Sequence, residues 1–89
     1  MSRRKNSLHL DSRIDELVER LEQYGRKSFL TPQELAALIG VSLKFLEAQR
    51  RALDGPRFSR VLPIGVVYRS RDVIKWLQGR AALRQTENA

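Results

Sequence analysis

Two capped helical segments separated by a glycine, between Thr31 and Leu53, constrain the fold of this chain more than any other feature. Thr31-Pro32-Gln33-Glu34 combines an N-cap hydroxyl, a proline at the first helical position and a glutamate at the capping-box position. Leu35, Ala36, Leu38 and Ile39 continue that helix until Gly40 breaks it. Val41 follows, and Ser42 can cap a second helix running from Leu43 to about Leu53. Two helices joined at a glycine, with a new cap two residues on, have the layout of a helix-turn-helix. Gly40 admits the tight turn because it lacks a Cβ, and the small Ala36 and Ala37 let the helices approach closely.

The flanking segments read as one small domain with extensions. Residues 1–10 form a flexible basic tail, and residues 11–25 an amphipathic helix. The Ser12 hydroxyl is its expected cap, with Asp15 three residues on. Ile14, Leu17, Val18, Leu21 and Tyr24 fall on one stripe of that helix, and Gly25 is its natural stop. The stripe can pack on the main domain or pair with another copy; it is too short to specify a coiled coil. Gly25 to Phe29 is a short basic connector, and Asp54-Gly55-Pro56 a turn. Phe58 to Leu62 and Val66 to Arg69 read as a hairpin with its tip at Pro63-Ile64-Gly65. Ser70 is expected to cap a last helix carrying Val73, Ile74, Trp76 and Leu77, with Trp76 in the core and fraying after Gly79. The main domain then spans residues 26–84, and residues 85–89 form a loose end. The fold class is mainly α with a small β-hairpin.

Charge points to the kind of partner. The 89 residues hold 17 Lys and Arg against 10 Asp and Glu, a formal net charge of +7 that favours a polyanion. Residues 1–24 carry five bases and five acids, so the whole excess lies in residues 25–89. With no cysteine, there is neither a disulfide framework nor a thiolate metal site. His9 is the only histidine and sits in the tail, so no catalytic or metal-ligand cluster can form around it. No catalytic residue, cofactor or metal is therefore expected. No apolar run is long enough to span a bilayer, and the start lacks a signal peptide's apolar stretch. A cytoplasmic, nucleoid-associated protein with no membrane partner is the expectation.

Helical geometry sorts the second helix into two sides. Lys44, Glu47, Ala48 and Arg51 face outward, with Ser42 and Leu43 at its start, while Leu46, Gln49 and Leu53 face the core. Lys and Arg can donate to guanine, Glu can accept from cytosine N4, and Ala can meet a thymine methyl. Arg50, Arg57, Arg60, Arg69 and Arg71 suit phosphate contacts, and the helix start at Thr31 offers free amides to another phosphate. The candidate partner is double-stranded DNA.

Four separated blocks carry a resemblance: Leu30 to Ala36, Leu38 to Ser42, Gly55 to Phe58, and Tyr68 to Val73 with Trp76-Leu77. In order and spacing they resemble the excisionase-like, MerR-related winged helix-turn-helix family over roughly residues 29–78. The resemblance implies that Leu43–Leu53 is the recognition helix and Phe58–Arg69 the wing, in a winged helix-turn-helix with an extra N-terminal helix. It also implies an excisionase, or recombination directionality factor, that bends attachment-site DNA for excision of a mobile element. A small prophage-type transcription regulator is the alternative. The integrase partner implied for such a factor is a tyrosine recombinase. Three features depart from the family: Gln49 stands where Trp is usual, the tip Leu62-Pro63-Ile64 is apolar, and the N-terminal helix is additional. An apolar tip and an added stripe suit self-association on repeated sites through Leu62, Pro63 and Ile64, or through Ile14, Leu17 and Leu21. A protein-interaction subunit that recruits the recombinase is the alternative of another class.

Overall fold

The computed structural model describes the backbone of residues 10–88 and the side chains of residues 10–82. Helix α1 spans Ile14–Tyr24, strand β1 Phe29–Leu30, helix α2 Pro32–Ile39 and helix α3 Leu43–Ala52. Strands β2 (Ser59–Val61) and β3 (Gly65–Arg69) then lead into helix α4, Ser70–Asn88. The protein is mainly helical, with one small antiparallel sheet of strand order β1-β3-β2. The hairpin pairs Arg60 with Val66, and the basic connector supplies a third strand, pairing Leu30 with Tyr68. That strand is only two residues long and its partner lies far along the chain, so no local pattern announces it.

The helix boundaries follow from local chemistry where caps exist. At α2 the Thr31 hydroxyl accepts from the Glu34 amide (3.1 Å), and the Glu34 carboxylate accepts from the Thr31 amide (2.8 Å). Gly40 ends the helix in the left-handed region, φ 75° and ψ 39°, where a Cβ would be penalised. The Ser42 hydroxyl accepts from the Phe45 amide and opens α3. Thr31→Ala is expected to lower stability by about 1 kcal/mol, measured by urea unfolding, because an N-cap bond is lost.

Several expected boundaries are corrected. Helix α1 is capped at Arg13 without a side-chain bond, not by Ser12, because residues 10–12 already form a separate helical turn. Leu10, assigned to the tail, is buried in the core; the rest of that tail lies outside the described residues. The Ser70 hydroxyl does not cap α4: it is buried without a hydrogen-bond partner, and the backbone passes directly from β3 into the helix. Helix α4 continues past Gly79 to Asn88, into the segment expected to be loose. Leu53 does not face the core; it adopts φ 56° and is 86% exposed, because α3 turns away one residue early.

One core unites all the helices. Leu10, Ile14, Leu17 and Leu21 pack with Leu30, Leu35, Ile39, Leu46, Tyr68, Ile74 and Leu77. Helix α1 lies against α4, and Arg80 on α4 donates to Asp11 at 2.8 Å across the same junction. Ile14, Leu17 and Leu21 are therefore unavailable for self-association, since the protein's own core covers them. The exposed side of α1 is laced with Arg13–Glu16, Arg20–Glu16 and Arg26–Glu22 pairs. Hydrogen bonds from Arg13 and from Arg26 hold the Glu16 and Glu22 carboxyls below their ordinary range. Whatever these pairs contribute is present near neutrality and lost as pH falls through the lowered carboxyl values; their solvent exposure keeps the contribution small.

Candidate nucleic-acid interface

Helix α3 separates its residues as its periodicity requires. Leu46 is fully buried and Phe45 half-buried, while Ser42, Leu43, Lys44, Glu47, Ala48 and Arg51 are exposed. Arg51 lies 3.6 Å from Glu47, one turn back on the same face. Such an exposed pair is worth at most about 1 kcal/mol, so it orients the guanidinium without locking it. The outward face thus presents two cations, one carboxylate and a methyl group to solvent.

Behind this face the packing is tight. Gln49 is half-buried, and its Oε1 finds no hydrogen-bond partner. A Cβ on Gly55 would come within 2.7 Å of the Gln49 Cβ, so the turn after α3 needs a glycine to pass this side chain. Trp76 lies nearby on the α4 side, donating from Nε1 to the Asp54 carbonyl at 3.0 Å. Its ring is half-buried against the core, with the Arg80 guanidinium 5.2 Å from the ring centroid.

The proposed phosphate ligands divide into two groups. Arg50 is held by the fold: it donates to the Tyr68 hydroxyl at 2.6 Å and lies 6.0 Å from the Phe58 ring centroid. Its position fixes α3 against β3, so its role in the structure is a brace. Thr31 is a poor phosphate site for a different reason. The Glu34 carboxylate already occupies the helix start, and a second negative charge there would be repelled. By contrast Arg57, Arg60 and Arg71 are exposed, and Arg69 is half-exposed. Arg60 lies over Phe58 (5.8 Å) and Arg69 over Phe29 (5.1 Å), so aromatic rings support both guanidinium groups. A cavity of about 280 Å³ brings Arg57, Arg69 and Arg71 together beside Phe29, Phe58 and Asp72.

The hairpin end is apolar and uncovered. Leu62 is 91% and Ile64 65% exposed, and Pro63 between them is also exposed. These side chains do not fold back on their own domain. Among the described residues no group of three or more metal-ligating side chains converges, and no helix is long and apolar enough to cross a membrane.

Compared with known proteins, the chain matches no family model, no curated protein and no solved structure. The residues themselves therefore carry the functional argument.

Proposed function

We propose that this chain is a winged helix-turn-helix protein of the excisionase type, which binds and bends attachment-site DNA to promote excision of a mobile element. The observation that carries the reading is the outward face of α3, where Lys44, Glu47, Ala48 and Arg51 stand exposed while Leu46 anchors the helix. In this reading α3 enters the major groove and the β2–β3 hairpin is the wing, with Arg57, Arg60 and Arg69 on phosphates. No chemistry is asked of the chain, because bending DNA is architectural work. Its place is the nucleoid, beside the integrase. The uncovered tip at Leu62, Pro63 and Ile64 suits contact with a neighbouring copy on repeated sites.

Footprinting on the attachment sites and promoters of the host element tests this reading. Protection at attachment sites together with stimulated excision is the expected result. Protection at a promoter alone, with no effect on excision, would assign the protein as a transcription regulator instead. Absence of DNA binding would leave the recombinase-recruiting subunit. Within the DNA reading, Arg60→Ala should weaken specific and random duplexes alike, by about 0.9 off the log–log salt slope for one phosphate lost. A loss confined to specific sites would move Arg60 from phosphate gripping to base reading.

A further inference from the structure

A second cationic surface lies beyond the face assigned to groove reading. A cavity of about 450 Å³ is lined by Arg26, Arg57, Arg71 and Lys75, with Asp72 the only acid among its lining residues. Arg26 is already matched by Glu22, but no ion pair among the described residues engages Arg57, Arg71 or Lys75. Its walls are built by long-range backbone bonds. The Ser70 amide donates to Ser28 O at 2.9 Å and the Arg71 amide to Arg26 O at 3.1 Å. These bonds seat the chain after α1 against the start of α4.

Two features argue that this arrangement serves a ligand. Arg71 and Lys75 are four residues apart on α4, a spacing at which like charges repel and weaken the helix. Arg57 lines the same cavity, and its one acid, Asp72, leaves the charge there in excess positive. The second feature is continuity. Arg57 also lines the cavity containing Arg69 and another that reaches Gln49, Arg50 and Leu53 at the end of α3. A basic track therefore runs from the C-terminal end of α3, through Arg57, to the exposed side of α4.

We propose that this track carries the phosphate backbone of the duplex flanking the sequence read by α3, with Arg71 and Lys75 as its outer contacts. The inference rests on the DNA-binding reading and extends its footprint. An extended polyanion fits a track of separated cations, each able to neutralise one phosphate and release its counterion.

The test measures affinity against salt for the full chain, using a site selected from random duplexes. The site is placed in a short duplex of roughly 10 bp, one helical turn, and centred in a long one of roughly 40 bp. Arg71→Gln/Lys75→Gln is expected to reduce the log–log salt slope on the long duplex by about 1.8, for two lost phosphates. On the short duplex its slope should match the wild type. The charge-preserving Arg71→Lys/Lys75→Arg variant should keep the wild-type slope on both, separating charge from folding. An unchanged slope for the Gln variant on the long duplex, or an equal loss on both lengths, would overturn the track while leaving groove reading intact. Failure of the wild type to bind either duplex would instead remove the DNA-binding reading itself.

Discussion

Leu17→Ala is expected to destabilise the protein by about 2–5 kcal/mol, although Leu17 lies in a helix outside the α2–α3 pair. Its side chain is fully buried, between Ile14 and Leu21 on the stripe of α1 that meets the common core. Truncation removes the transfer energy of the lost carbons and leaves a cavity that the neighbours refill only in part. Small domains are stable by only about 5–15 kcal/mol, so the variant should lose a large share of its margin. Urea unfolding should show a lower midpoint with an unchanged slope, the signature of altered stability rather than of a changed denatured state. A loss below about 1 kcal/mol would mean that α1 is an appendage whose burial adds little.

The second large effect concerns the outward face of α3. Lys44→Ala combined with Arg51→Ala should weaken a specific site by about 2–6 kcal/mol, if each side chain makes a good bidentate base contact worth about 1–3. Neither side chain is buried, so the double variant should unfold at the wild-type urea midpoint. Binding to random duplexes should fall much less, because phosphate contacts elsewhere supply that affinity. Competition binding with specific and random duplexes reads this ratio directly. Equal losses on both would show that α3 contributes charge and no sequence reading.

The parts of this fold that were legible in the sequence are those fixed by neighbouring residues. The capping box at Thr31, the left-handed Gly40 and the cap at Ser42 each depend on three or four adjacent positions, and each is found where those positions place it. Features set by distant partners were hidden. Strand β1 exists because Leu30 meets Tyr68 across the sheet. The Ser70 hydroxyl resembles a cap locally, yet tertiary packing buries it. Helical periodicity alone put Leu53 in the core, and the early turn after Ala52 removed it. The candidate site was legible in the same uneven way. Lys44, Glu47, Ala48 and Arg51 follow from the helix period, whereas the bracing of Arg50 by Tyr68 needs two elements brought together. Arg26 and Lys75 were missed because the connector and α4 meet only in three dimensions; the like-charge spacing of Arg71 and Lys75 was the available signal.

The backbone stitching of β1 to β3 also determines which partner would have to deform. Strand β1 leads into α2 and α3, while β3 forms one side of the hairpin, so a ladder joins the segment before α2 to the hairpin. The brace from Arg50 to Tyr68 adds a side-chain strut between α3 and the same strand. In the proposed DNA reading, helix and hairpin base would act as the two jaws of a fixed calliper, whose opening is set before any duplex arrives. A calliper that cannot adjust transfers the adjustment to what it grips. The duplex would supply the bend, and flexible pyrimidine–purine steps at the right distance from the contacted bases would be favoured without being touched.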